Sequence, residues 1–308
     1  MNVINIGVDV GGTTINVGVV SNYGHIIEKV TVQTKEGYSS EVIIDLIIEN
    51  INILLRRLNL TPENISSIGL GFPGTVESSK GIVVFAPNLF LENVDVRSKI
   101  ADTFNCPIFL GQDSRAAAWG ECCVGAGLNY NNIATIIIGT GIGCGLIIDG
   151  KIFHGAYNTA GEFGHQLINP NGYKCNCGRK GCLETFCGGL SILRAGKKTF
   201  KNLNIQTVKD VYDLAESGNE EALKITNEVV HYLGIGIVNL INLISLELIS
   251  ISGEISNAPD RLLIDPLRKF VEEHSYSTVA KKVMIVHSPL GDNAALIGAA
   301  LLDETTEY

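Results

Sequence analysis

Ile4-Asn5-Ile6-Gly7-Val8-Asp9-Val10-Gly11-Gly12-Thr13-Thr14 is the stretch on which the fold turns. Residues 3–10 read as a buried strand, with Val3, Ile4, Ile6, Val8 and Val10 as its apolar positions. A Gly-Gly-Thr turn follows, and a second strand reads from residues 15–21. Glycines in such a turn let backbone N–H groups reach a phosphate, and Thr13 adds a hydroxyl donor. Asp9, at the strand end, is placed to hold Mg²⁺ directly or through water. The pattern is neither the Gly-Lys-Ser/Thr phosphate loop nor the dinucleotide fingerprint.

A faint echo lies about 130 residues on, a spacing too long for a solenoid repeat. Ile136-Ile137-Ile138-Gly139-Thr140-Gly141 runs into an apolar segment ending at Ile148. Two ordinary hairpins would read this way. So would two related halves, each offering a phosphate turn built from Gly and Thr rather than Asn-Gly. Further strands read at 25–33, 66–71 and 107–111. A helix reads at 40–58, with Val42, Ile43, Leu46, Ile47, Ile51, Leu54, Leu55 and Leu58 at helical spacing. A second helix reads at 93–104 with Asn93 as its cap, and a third from 115 to 123. Strand–helix alternation of this kind implies an α/β fold with parallel pairing. The expected division is a smaller domain of residues 1–113 plus about 293–308, and a larger one of 114–292. The last helix, near 293–302, is expected to return to the first half.

The 308 residues are 45% apolar and 18% charged, which excludes a disordered chain. The net charge of −9 argues against nucleic acid as a partner, since phosphate binding needs a basic footprint. The N-terminus has no basic region followed by an apolar core and cleavage site, so a cytoplasmic enzyme is expected. Residues 233–251 carry Asn239, Asn242, Ser245 and Glu247, which suits a buried helix and strand better than a membrane span.

His165, Cys175, Cys177 and Cys182 form the most specific motif. One imidazole and three thiolates are the donor set of a closed structural zinc site, and Gly178 and Gly181 permit the tight knuckle. Free thiols, or a Cys175–Cys182 disulfide, are the alternatives. The other cysteines, Cys106, Cys122, Cys123, Cys144 and Cys187, read as small buried hydrophobes. Three carboxylates stand at strand ends or in loops. Asp113 follows the strand at 107–111 and reads as a helix cap or a base. Glu162 and Glu184 flank the cysteine knuckle, as solvated acids or as partners of sugar hydroxyls.

Together these residues resemble the ROK family of bacterial sugar kinases, within the actin-like (ribonuclease H-like) ATPases. The resemblance spans nearly the whole chain. It rests on Asp9 to Thr13, Gly71-Phe72-Pro73-Gly74, Ala86-Pro87-Asn88, Asp113 with Ala116-Ala117-Ala118, Gly139 to Gly143, Gly161 to His165, the cysteine knuckle with Leu183-Glu184, and Ser252-Gly253-Glu254. It implies a two-domain fold with an interdomain active-site cleft, usually in homodimers. It implies ATP, Mg²⁺ and a structural Zn²⁺. Asp113 takes the role of general base for the 6-hydroxyl of a hexose. Gly74, Asn88, Gln112, Glu162, His165 and Glu184 are implied sugar contacts. Asp9, Gly11, Gly12, Thr13, Thr140, Gly141 and Gly253 are implied ATP contacts. His165, Cys175, Cys177 and Cys182 are implied zinc ligands.

The sequence departs from the family pattern at three places. Gln112 replaces the Asn before the catalytic Asp, Arg115 the Asn two residues after it, and Thr14 a Lys after Gly-Gly-Thr. These put the hexose in question more than the reaction. Glucose is the expected substrate, with N-acetylmannosamine or allose as alternatives. The family also holds sugar-responsive repressors with an N-terminal DNA-binding domain, which is not expected here because the phosphate-turn strand reads from Val3 and the net charge is −9. A sugar-binding, inactive relative is the remaining reading.

Overall fold

The computed structural model describes residues 4–35, 37–276 and 282–307. In chain order the elements are β1 (Ile4–Val10), β2 (Thr14–Val20), β3 (Ile26–Gln33), α1 (Ser40–Arg57), β4 (Ile65–Phe72), β5 (Thr75–Glu77), β6 (Ile82–Ala86), β7 (Leu91–Asp95), α2 (Val96–Ala101), β8 (Ile108–Gln112) and α3 (Asp113–Val124). There follow β9 (Ile133–Ile138), β10 (Ile142–Ile148), β11 (Lys151–Ile152), α4 (Glu184–Cys187), α5 (Gly189–Thr199), α6 (Val208–Glu216), α7 (Glu220–Ile244), β12 (Leu248–Ser252), α8 (Ile264–His274), β13 (Met284–His287) and α9 (Ala294–Ala300). They group into two compact units. One comprises Met1–Asn131, Gly145–Ala160 and Asn293–Tyr308, the other Asn132–Cys144 and Gly161–Asp292.

The first unit is built on a sheet of order β3-β2-β1-β4-β8. β1, β4 and β8 run parallel, while β2 and β3 pair antiparallel beside them. β1, rich in Ile and Val with Asn5, Gly7 and Asp9 between them, is buried along nearly its whole length. β3, at the sheet edge, alternates half-buried and exposed residues. Ser39 caps α1 by accepting from the Val42 N–H, and Ile43, Ile47, Ile51 and Leu54 bury its apolar stripe. α9 returns from the end of the chain onto β1, β4 and α3. That return depends on missing side chains. A Cβ at Gly69 of β4 would stand 1.7 Å from the Ala299 carbonyl oxygen, and one at Gly298 would stand 1.7 Å from that of Ala116. Gly69→Val suits a strand by propensity but forces α9 off the sheet. It is expected to cost about 3 kcal/mol, the upper end for overpacking, read as a lowered urea midpoint.

Two sequence readings change. The helix expected at 93–104 is β7 followed by the short α2, and the cap is Asp95, which accepts from the Ser98 N–H. Asn93 sits at φ 51° inside β7. Pairing with β6, Ile82 opposite Asp95 and Val83 opposite Val94, draws this segment into the antiparallel sheet β5-β6-β7. Tertiary pairing thus overrides a local helical pattern. The helix α3, placed with the larger domain on sequence, packs against α9 within the first unit.

In the second unit β9, β12 and β13 are parallel neighbours, with Ile251 opposite both Ile136 and His287. Asn219 caps α7 by accepting from the Glu221 and Ala222 N–H groups. α7 is the one described helix long and apolar enough to cross a membrane. Its apolar residues Ile225, Val229, Leu233, Ile237 and Ile241 are buried, and it packs among α4, α5, α6 and α8.

Candidate active site

In the first unit, register brings distant residues to one edge. Asp9 is opposite Gly71 across β1 and β4, and Phe72 is opposite Gln112 across β4 and β8. Asp9 is thus level with Gly111 two strands away, and Asp113 lies two residues beyond Gly111, so both carboxylates stand at the carboxyl ends of parallel strands. In α/β sheets such ends are where ligands bind. Between them, a Cβ on Gly71 would lie only 3.4 Å from the Asp113 Cα. The Gly11 N–H bonds the Thr14 carbonyl at 2.8 Å to close the turn, leaving Gly12 and Thr13 exposed. Gly12 comes close to Asn88, whose Cβ would be 3.4 Å from a Cβ at Gly12. Gly74, at φ 85°, packs on the Phe85 carbonyl just ahead of Asn88.

Asp113 is the first residue of α3, and Gln112 is its cap position without a side-chain capping bond. Asp113 Oδ1 accepts from the Ser114 N–H at 2.6 Å. The Gln112 side-chain oxygen Oε1 is buried with no hydrogen-bond partner among the described residues, which leaves an acceptor to be satisfied. Burial pushes the Asp9 carboxyl up, opposed by the hydrogen bond from Asn16 and by the charge of Lys29. A carboxylate so placed fits a cation, whose charge offsets the burial.

In the second unit, the loop after β9 meets the end of β12. Gly253, at φ 85°, lies against the Ile138 carbonyl, where a Cβ would come within 2.6 Å. The start of α5 closes the loop: the Gly189 N–H donates to the Gly139 carbonyl at 2.9 Å and the Leu190 N–H to that of Thr140 at 3.1 Å. A Cβ at Gly141 would stand 2.7 Å from Glu184 Oε2. The Gly-Thr loop and Glu184 are thus neighbours, a proximity invisible in the sequence.

Glu184 also borders the cysteine knuckle. The single ligand atoms of His165, Cys175, Cys177 and Cys182 all lie within 4.8 Å of one another. Cys177 and Cys182 sulfurs are 3.6 Å apart, and Cys175 Sγ is 3.7 Å from His165 Nδ1. A tetrahedron with metal–sulfur bonds of about 2.3 Å has edges of about 3.8 Å, so the donor set fits zinc in spacing as well as chemistry. The cysteines are unpaired, so the disulfide alternative does not hold. Burial and then the hydrogen bond to Glu184, 2.9 Å away, push the Cys175 thiol up. Gly181, at φ 79°, would place a Cβ 1.6 Å from the Asn169 carbonyl, so the knuckle's turn admits only glycine. His165 Nε2 faces Glu162 at 3.8 Å, and Nδ1 faces Glu184 at 3.8 Å. Of the remaining cysteines, Cys144 and Cys187 are fully buried, while Cys106, Cys122 and Cys123 are half-buried.

The chain matches the ROK family over residues 5–306. It belongs to the ROK family. This ROK chain is 34% identical to the glucokinase of Thermotoga maritima, over 96% of its own length and 95% of the relative's. It is 32% identical to the xylose repressor of Caldicellulosiruptor bescii, over 95% of its own length and 76% of the repressor's. Among solved structures, the ROK glucokinase of Streptomyces griseus in complex with glucose and AMPPNP superposes with a TM-score of 0.84 at 29% identity. That match covers 96% of this chain and 98% of the other. The ROK fold is that of actin-like two-domain sugar kinases.

Each unit gathers its own share of the sequence-derived residues. Asp9, Gly11, Gly12, Thr13, Gly74, Asn88, Gln112 and Asp113 belong to the first unit. Thr140, Gly141, Glu162, His165, Glu184, Gly253 and the three cysteines belong to the second. Sequence reasoning missed what Arg115 does. It registered only as a departure from the family, and nothing local announces that its guanidinium is buried.

Proposed function

We propose that this ROK protein is an ATP-dependent kinase for the 6-hydroxyl of a hexose, with glucose as substrate. The observation that carries the reading is the strand register that sets the Asp9 turn and Asp113 at one edge of the first sheet. A repressor needs sugar contacts but neither a phosphate turn nor a base. Phosphoryl transfer is mostly positioning and charge neutralisation, and these residues supply both. Asp113 orients the attacking hydroxyl and takes its proton. Gln112, Asn88, Glu162, His165 and Glu184 are the sugar contacts in this reading. Gly12 and Thr13, in the turn that Gly11 closes, and the Thr140–Gly141 turn offer N–H groups to the phosphates, and the Gly253 turn meets the adenosine. Asp9 would hold Mg²⁺, which when bound neutralises charge on the phosphates. Four protein ligands would leave zinc no open position, so its task is to hold Glu162 and Glu184 in place.

The deciding experiment is a coupled ADP-release assay over a hexose panel. ATP-dependent turnover with the largest kcat/KM on glucose is expected. Highest kcat/KM on N-acetylmannosamine or allose reassigns the sugar. A hexose that raises the Tm without any ADP release makes the protein a sugar sensor instead. The family resemblance further supports a cytoplasmic homodimer, which sedimentation tests.

A further inference from the structure

Arg115 sits two residues after Asp113 on α3 and is 2% exposed. Its Nη2 donates to the carbonyls of Asn158 at 2.8 Å and Ala160 at 3.1 Å. Its Nη1 lies 3.4 Å from His154 Nδ1. The other ring nitrogen of His154 is 2.9 Å from the Thr306 carbonyl, so Nε2 carries the proton and Nδ1 accepts from Arg115. The segment it grips is otherwise closed by its own backbone, the Ala160 N–H donating to the His154 carbonyl at 3.1 Å and the Asn158 N–H to that of Gly155 at 3.4 Å. Gly155, Asn158 and Gly161 all take left-handed conformations, at φ 72°, 54° and 92°, and the Tyr157 side chain is 86% exposed. Burying a guanidinium against carbonyl dipoles is costly, and a shorter Asn side chain on α3 would not span to both carbonyls. Ala160 is the residue before Gly161-Glu162, and His165 follows on the next turn.

We propose that Arg115 is a positioning residue for sugar binding. It pins residues 158–160 to the catalytic helix and so sets where the chain carrying Glu162 and His165 begins. The inference rests on the kinase reading, and it deepens it. It explains a site where this sequence departs from its family by a mechanism that acts on the sugar and leaves the nucleotide alone.

Arg115→Met, nearly isosteric but uncharged, releases both carbonyls. The hexose KM is expected to rise about tenfold or more, with the ATP KM within about twofold, since directional contacts are lost by small displacements. Arg115→Lys, which reaches one carbonyl, falls between. Trp119, the sole tryptophan, lies one turn further along α3 and donates to the Leu301 carbonyl at 2.8 Å, so its emission reports the helix itself. Unchanged emission with the split in KM supports positioning. A hexose KM within twofold of wild type, or equal rises in both KM values, overturns it. Should Arg115→Met disturb Trp119, Asn158→Pro decides. Proline cannot adopt φ 54°, so it displaces the Asn158 carbonyl while Arg115 stays, and it must reproduce the split. If the wild type phosphorylates no hexose, the kinase reading fails separately. The same comparison is then made on hexose Kd by calorimetry, where an unchanged Kd overturns the proposal.

Discussion

Asp113→Asn is expected to lower kcat by about 10²–10⁴-fold, the usual worth of a positioned base, with the fold and ATP affinity kept. The substitution is clean because of how α3 begins. Asp113 Oδ1 accepts from the Ser114 N–H, a bond the Asn carbonyl oxygen makes equally well. The helix is otherwise held by α9, against Gly120 and Ala116. What Asn loses is proton affinity. Steady-state kinetics with saturating hexose and ATP measure the effect, and the Tm checks the fold. A kcat within about threefold of wild type would confine Asp113 to starting the helix.

Zinc loss is expected to act on the other substrate face. The purified protein should carry about one zinc per chain by elemental analysis, held by His165, Cys175, Cys177 and Cys182. Cys177→Ser should remove it and lower hexose kcat/KM on the order of 10²-fold, with ATP affinity little changed. The reasoning starts from the backbone. The Leu167–Cys182 bridge and the Leu183 N–H to the Gln166 carbonyl already tie the His165 segment to the Cys182 segment. The metal would add a rigid joint at the point where His165 faces both Glu162 and Glu184. Without it, the exposed Glu162 faces a His165 that no metal fixes, and Glu184 keeps its bonds from the Cys175 thiol and the Ile142 N–H. Fully active protein without metal would sink this scheme, as would unchanged sugar kinetics in Cys177→Ser. Gly141→Val is a poor probe of the nucleotide loop, because its side chain would strike Glu184 and disturb both substrates together.

Much of this protein is written locally. β1, β2, α1 and β8 follow from apolar period and caps that act within a few residues, and they fall within one or two residues of where the sequence puts them. The His/Cys cluster is legible for the same reason: three of its members lie in one short turn, and its glycines sit where φ must be positive. The family match over residues 5–306 follows from these same motifs. Where a segment's fate depends on a partner far along the chain, local reading fails. Residues 93–104 look helical alone and become β7 and α2 because β6 offers a row of unpaired backbone groups. The alignment of Asp9 with Asp113 rests on register across three strands, and register is a property of pairs. Gly141 and Glu184 are neighbours only because the cysteine knuckle folds back onto the loop. Arg115 reads as a surface-type residue by composition. Only packing buries it, and burial obliges its guanidinium to find the two carbonyls that precede Glu162.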